Sequence, residues 1–209
     1  MRRAITSRPL PAFALTLVLA LVACASPQPP LIAESGMSIG VAPFTQPSAT
    51  TDLLAGYVSN TAPRLDAKVF PQLDNDFADL LAKMSKRNYA GLDKSRDCVQ
   101  KRPRQANMQA FDYWVTIGRC MNVDILIVPQ IHLWQEREDG NPAAVAVDIF
   151  LLDVKNKALL ARSRYDEKQR ALLDNLLDVG KFIERGGRWV SASTLAQEGM
   201  FKAIKEFGL

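Results

Sequence analysis

Asp124–Gln135 (DILIVPQIHLWQ), Ala143–Val154 (AAVAVDIFLLDV) and Ala158–Tyr165 (ALLARSRY) are three apolar runs in close succession. Runs of this length, rich in Val, Ile and Leu and separated by turn residues, predict strands. The connections Glu138-Asp139-Gly140-Asn141-Pro142 and Lys155-Asn156-Lys157 are short, so neighbouring strands are expected to be antiparallel. In the middle run both alternating sets are apolar. Val145, Val147, Ile149 and Leu151 point one way, and Ala144, Ala146, Phe150 and Leu152 the other. A strand apolar on both sides is central, and other layers must cover both faces of its sheet.

Working outward, Ser38–Phe44 (SIGVAPF) reads as a first core strand closed by Pro47. Thr45–Leu65 is a Thr-, Ser- and Pro-punctuated loop, with one helical turn expected around Leu53–Val58. From Phe70 the period changes. Phe70, Leu73, Phe77, Leu80, Leu81 and Met84 recur at helical spacing with Asp66 as the expected N-cap, and Pro71 is tolerable because it lies in the first turn. A basic stretch, Lys83–Arg104, follows as a connection, and a helix is expected from Ala106 to Arg119 with Met108, Phe111, Val115 and Gly118 on one face. Two more helices, Ala171–Glu184 and Ser193–Phe207, end at Gly186-Gly187 and at Gly208. The expected fold is α/β: a mixed, largely antiparallel sheet of about four strands flanked by helices, in one domain spanning 37–209.

The first residues assign a compartment. Arg2, Arg3 and Arg8 form a basic start, and Ala12–Ala23 (AFALTLVLALVA) is an apolar run of 12 residues. That is shorter than the roughly 18–20 residues a spanning helix needs and suits a signal segment. It ends in Leu21-Val22-Ala23-Cys24, which resembles the lipobox of bacterial lipoproteins. The resemblance implies cleavage after residue 23 and acylation of Cys24, with palmitate among the attached chains. Ala25 and Ser26 follow where inner-membrane retention would use Asp, so the implied address is the outer membrane with the domain facing the periplasm. Residues 24–36 then form the anchor and a tether with the Pro-rich segment SPQPP at 26–30. Removing the signal also removes its three arginines, and the formal +4 of the 209-residue chain falls to 23 basic against 22 acidic residues. The basic balance belongs to export, apart from one local stretch between two helices.

With Cys24 acylated, Cys98 and Cys120 remain, an even pair in an oxidising space. A disulfide is the expectation, against two buried free thiols or a metal pair. With a single His in the chain and no C-x₂-C, no zinc site is indicated.

Three segments carry a family resemblance. Ile39-Gly40-Val41-Ala42-Pro43-Phe44 resembles a "V-x-P-F" opening strand. Gly118 with Asn122-Val123-Asp124-Ile125-Leu126-Ile127-Val128 resembles a "G…A-D-x-L-I-x-G" turn into a strand. Val147–Leu160 resembles a strand–"D-V-x-x-x-x-L-L"–strand hairpin. Their order is that of the periplasmic lipoprotein domain shared by CsgG, LpoB and the amino-terminal domain of TolB. Asn122-Val123 departs from the usual Ala, and Pro129 stands where Gly is common. The resemblance implies a helix-flanked mixed sheet and a binding or assembly role without catalysis.

Residues able to carry chemistry are few. There is neither G-x-G-x-x-G nor G-x₄-G-K-[ST], so no nucleotide cofactor is expected. His132, the one imidazole, lies mid-strand between Ile131 and Leu133 and reads as a strand histidine paired to a neighbour. The carboxylates of Asp166-Glu167 leave a periplasmic glycan hydrolase as a minor alternative. In the basic stretch, eight cations stand against Asp93 and Asp97. Lys86, Arg87, Lys94, Arg96, Lys101, Arg102 and Arg104 are its candidate contacts to an acidic partner or anionic lipid. Nucleic acid is not expected outside the cytoplasm, and no small-molecule substrate is indicated. Trp114, Trp134 and Trp189 read first as packing, with Trp134, beside a charged turn, the best contact candidate. The leading expectation is a lipid-anchored module that binds another envelope protein. A CsgG-like secretion-pore subunit is the alternative, and it would need further strands alternating lipid- and lumen-facing residues.

Overall fold

The computed structural model describes residues 36–56, 58, 63–85, 87–138, 142–169, 183, 185 and 188–209. Cys24 and its lipobox-like segment, the expected helix over 171–184 (Ile183 apart) and Lys86 lie outside the described residues.

Five strands form one sheet in the order β2-β1-β3-β4-β5. They are β1 (Ile39–Val41), β2 (Tyr89–Ala90), β3 (Ile125–Gln135), β4 (Ala144–Asp153) and β5 (Ala158–Lys168). β1 runs parallel to both β2 and β3, and β3, β4 and β5 form an antiparallel meander. Four helices cover the two faces: α1 (Val69–Met84), α2 (Leu92–Lys101), α3 (Ala110–Met121) and α4 (Ala192–Phe207). The expected mixed, largely antiparallel sheet with flanking helices is the fold observed, with five strands where about four were expected.

The central position of β4 follows from its composition, since nine of its ten residues are buried. Ile39, Val41, Ile125, Ile127, Val145, Val147 and Ile149 pack on α1 and α4 through Leu73, Phe77, Leu195, Met200 and Ile204. Leu126, Val128, Phe150 and Leu152 pack on the opposite side against Trp114, Ile117 and Met121 of α3 and Cys98 of α2. Pro129 is accommodated inside β3 because a strand residue's N and O point to the same side. Its O accepts from Thr45 N on the β1 side, so its missing N–H falls where β1 has left the ladder. His132 is the extra residue of a β-bulge opposite β4, between the pairs Ile131–Val147 and Leu133–Ala146.

Several boundaries differ from expectation. Lys83–Arg104 is more than a connection, because it contains β2 and α2. β2 exists only by pairing Tyr89-Ala90 with Ile39-Gly40, and α2 buries just Ser95 and Cys98, so neither leaves an apolar period to read. The turn expected around Leu53–Val58 is a 3₁₀ turn at Thr50–Asp52. Asp66 does not cap α1, whose N-cap is Lys68; its Oδ1 instead accepts from Lys68 N at 3.0 Å. α3 starts at Ala110 rather than Ala106, and Asn122, in the left-handed region (φ 52°), ends it. α4 starts on a Ser191 cap that accepts from Thr194 N and stops at Gly208 (φ 66°), close to expectation.

Gly118 brings α3 against Val154, the residue after β4. A Cβ there would lie 2.4 Å from Val154 Cγ2. Gly118→Ala gains about 1 kcal/mol of helix propensity, but the overlap requires Val154 or the helix to move, at about 1–3 kcal/mol. The expected net result is a lower chemical-denaturation midpoint, and a raised midpoint would show that α3 can retreat freely.

Candidate binding site

The basic stretch does not form one patch. Winding it into α2 distributes its charges around a helix. Arg96 stays 45% exposed, and its Nη2 lies 2.8 Å from Oδ2 of the buried Asp74, whose Oδ1 accepts from Phe44 N at 2.7 Å. Lys101 pairs with Asp97 one turn earlier on its own helix. Arg104 is held inside the fold. Lys94 and Arg102 are exposed, and Arg87 borders a cavity next to Tyr89. Arg104 is therefore an internal tie and Arg96 a surface tie to Asp74, and neither is the unpaired contact the stretch suggested. Trp134 is half-buried and packs on the core under α1 and α4.

The more distinctive concavity, about 250 Å³, lies at the carboxyl end of β1, beside the start of α3. Thr45, Asp52, Arg104, Ala110, Tyr113 and Trp114 line it. Open α/β sheets place ligands outside the carboxyl ends of their parallel strands, and this cavity has that position. Arg104 organises it. Its Nη1 pairs with Asp52 Oδ1, Nε and Nη2 donate to Met108 O, and Nη2 also donates to Thr51 O. Asp52 Oδ2 accepts from Ser48 N, Ser48 Oγ and Ala49 N. Burial pushes the Asp52 carboxyl up, but hydrogen bonds from Ser48, Arg104 and Ala49 outweigh it and hold the group well below the usual carboxylate range. Tyr113 and Trp114 form the aromatic wall, 8% and 4% exposed, with ring centroids 5.0 Å apart and planes at 58°. Burial pushes the Tyr113 phenol up, with Arg104 drawing it partly back.

A depressed carboxylate contributes stability above its unfolded value, near 3.9, and loses it as pH falls through that value toward the native one. The wild type is therefore expected to lose more stability than Asp52→Asn between pH 6 and pH 2. Urea midpoints across that range check it, and parallel curves would refute it.

A second cavity, also about 250 Å³, lies between the end of α1 and the start of α2. It is lined mainly by Val41, Ala78, Leu81, Tyr89 and Leu92, and the Tyr89 hydroxyl donates to Ser85 Oγ at 2.8 Å.

His132 is engaged as expected of a strand histidine. Its Nε2 lies 2.9 Å from Oδ2 of Asp148, which is 1% exposed, although the approach is off the line of a hydrogen bond. Arg162 grips the same carboxylate through Nε at 3.1 Å and Nη2 at 2.8 Å. Burial pushes Asp148 up, and His132 and Arg162 together bring it below its ordinary value. The imidazole and the guanidinium thus both face a buried carboxylate. Asp166 and Glu167 do not act as a pair, because alternation along β5 sends them to opposite sides. Asp166 is exposed and bound to Arg164, whereas Glu167 is 7% exposed and faces Arg185. Among the described residues no group of three or more His, Cys, Asp or Glu is placed to hold a metal, and no helix is long and apolar enough to cross a membrane.

The chain matches no known family profile, and no curated protein is similar to it in sequence. Solved structures are similar to it at low identity. The PelC dodecamer from Paraburkholderia phytofirmans is 12% identical, with 82% of this chain and 87% of that chain covered at a TM-score of 0.44. The LpoB C-terminal domain from Salmonella enterica is 12% identical over 73% and 93%, and lipoprotein GNA1162 from Neisseria meningitidis 12% over 73% and 99%, both with a TM-score of 0.41. At such identity and superposition the likeness carries no functional argument.

Sequence reasoning did not single out Thr45, Asp52 or Tyr113. Asp52 and Arg104 are 52 residues apart and meet only because the loop after β1 folds onto the loop before α3. The one local signal was the Tyr113-Trp114 pair opening a helix, which reads equally well as core. Cys98 on α2 and Cys120 on α3 are joined through sulfurs 2.10 Å apart, closing the loop that carries Arg104, Tyr113 and Trp114.

Proposed function

We propose that this chain is an outer-membrane lipoprotein, acylated at Cys24, whose periplasmic domain is a non-catalytic binding or assembly module for another envelope protein. One observation carries the reading: Trp114, Tyr113 and Arg104 converge on one concave site. Trp, Tyr and Arg are the side chains that dominate protein-interface energetics, and they do so from well-packed, desolvated pockets. Arg104 and Asp52 are held at this site by internal bonds, as a preorganised receptor requires. The Pro-rich tether at 26–30 gives the module reach from the membrane. The pore alternative needs strands with one lipid-facing side. Here β4 is packed on both faces, which favours the binding module.

Two experiments test this. A photo-crosslinking residue at Gln109, exposed at the start of α3, is expected to capture one specific envelope protein in intact cells. The adduct should vanish with Tyr113→Ala and be absent when the probe sits at the remote, exposed Lys155. Failure to find any specific adduct removes the binding reading. Cys24→Ala is expected to abolish palmitate labelling and release the protein from outer-membrane fractions. Retained label would remove the anchor.

A further inference from the structure

We propose that the end of the sheet from which β1 starts rests on the anchoring bilayer, with Met37, Leu159 and Leu160 in the headgroup boundary and Lys155 and Lys157 beside them. This rests on acylation of Cys24 and adds the orientation in which the domain is held.

Strand register brings these residues together. Ser38 O accepts from Asp124 N and Ile125 N, each at 3.0 Å, and Asp124 O accepts from Val154 N at 2.9 Å. Asp153 pairs with Ala158 across the Lys155-Asn156-Lys157 turn. Met37, Asp124, that turn and the start of β5 therefore lie along one rim of the sheet. Among the described residues the exposed large hydrophobics are Met37 (41%), Leu159 (42%), Leu160 (38%), Ile183 and Phe201, so three of the five stand on this rim. Both leucines are exposed where β5 is irregular. Leu159 pairs with Leu152 and Ala161 with Leu151, which leaves Leu160 as the extra residue of a bulge. Apolar groups gathered at one place on a protein surface mark an interaction site.

The lysines stand on the turn itself and are exposed. Lys157 takes φ 52°, in the left-handed region that favours glycine, so a cation is kept where glycine would sit without strain. The acids of this rim are tied to neighbouring donors. Asp124 Oδ2 accepts from Ser38 N and Oγ, and the Asp153 carboxylate accepts from Asn156 N and Nδ2.

The leading segment decides the occupant. The described residues begin at Gly36, on this rim, and Cys24 precedes it by 12 residues. At full extension, roughly 3.6 Å per residue, the acylated cysteine is never more than about 43 Å from the rim. Composition agrees with a lipid surface. Protein interfaces are depleted in Lys, and their hot spots in Leu. The headgroup boundary takes aliphatic side chains, with lysine stems lying along them and ammonium groups at phosphate level. Docked this way, the domain turns the carboxyl end of β1, with Arg104, Tyr113 and Trp114, away from the bilayer and toward a periplasmic partner.

The test reconstitutes the full mature lipoprotein in vesicles of phosphatidylethanolamine with one quarter phosphatidylglycerol, doped with a lipid carrying a headgroup nitroxide. A fluorophore is attached to one added cysteine, at Leu159→Cys or at Gln109→Cys, the native pair being bridged. The probe at 159 is expected to be quenched several-fold more strongly than the probe at 109. Lys155→Gln and Lys157→Gln should each lower the ratio of docked to undocked domains about fivefold at low salt. Adding Leu160→Ser to both should bring the probe at 159 to the level of the probe at 109, with the protein still sedimenting with the vesicles. Equal quenching at the two positions in the parent, or unchanged quenching in the triple variant, reduces the contact to tethering and overturns the surface. Protein that fails to sediment removes the Cys24 anchor and this inference with it. A photo-crosslinking residue at Leu160 in intact cells is expected to give lipid adducts, and a protein adduct there overturns the bilayer as occupant. The Gln109 crosslink bears on the partner alone, so its loss removes the binding reading and leaves this surface standing.

Discussion

Arg162→Ala is expected to cost about 2–3 kcal/mol of folding stability near neutral pH, and less in acid. Asp148 sits inside the sheet with 1% of its side chain exposed, and Arg162 supplies its aligned hydrogen bonds. Removing one partner of a buried pair leaves an uncompensated charge, at about 3–5 kcal/mol when both are fully buried. The figure is reduced here because Arg162 is 28% exposed and His132 stays 2.9 Å from the carboxylate. Arg162 also lies over the Phe150 ring, 5.6 Å from its centroid, so the truncation removes packing as well.

The pH dependence separates the causes. In the wild type, Asp148 is held below its ordinary value, so its contribution is present above the carboxylate range and fades as pH falls through it. In Arg162→Ala the carboxyl loses its main partner and protonates earlier. The gap between wild type and variant should therefore narrow on acidification, as urea midpoints at pH 7 and pH 4 will show. Arg162→Met combined with Asp148→Met should cost less than Arg162→Ala alone, because no buried charge is left behind. A gap that stays constant with pH would assign the loss to packing over Phe150 instead.

Replacing both Cys98 and Cys120 by Ala is expected to cost about 3 kcal/mol, from the entropy of closing a 22-residue loop in the unfolded chain. The loss should be concentrated on α2. That helix buries only Ser95 and Cys98, so the bridge is its principal attachment to α3, with the Arg96–Asp74 pair as a second tie to α1. Hydrogen exchange should show α2 opening before the β3–β5 meander. The bridged loop carries Arg104, Tyr113 and Trp114, so the Gln109 crosslink should weaken in parallel. Unchanged unfolding midpoints with and without reductant would show that the bridge adds nothing.

Legibility along the chain followed burial pattern. β3, β4, α1 and α4 each place several apolar residues at the period of their element, and each was visible in one window of sequence. β5 was read from its apolar start and the short turn before it, although its buried residues are Ser163 and Glu167 and its Leu159 and Leu160 are exposed. α2 (LDKSRDCVQK) was not, because eight of its ten residues avoid burial and Arg96, which ties it to α1, is polar and exposed. β2 was not, because two residues have no period at all. Of the candidate contacts, Arg96 and Arg104 read as surface cations because nothing nearby in sequence names their partners, Asp74 and Asp52. These lie 22 and 52 residues away.

The sequence by itself determined the α/β class, the antiparallel meander and the central place of β4, because alternation and helical spacing are local records of which side each residue buries. It also supplied the reading of the leader and of Cys24. Only the tertiary structure decided that the loop after β1 would meet the start of α3, that Arg104 would turn inward to Asp52, and that Tyr113 and Trp114 would wall a cavity beside them. Those outcomes depend on which distant groups come within hydrogen-bond reach once the layers close, and a periodicity of two or 3.6 residues carries no information about that.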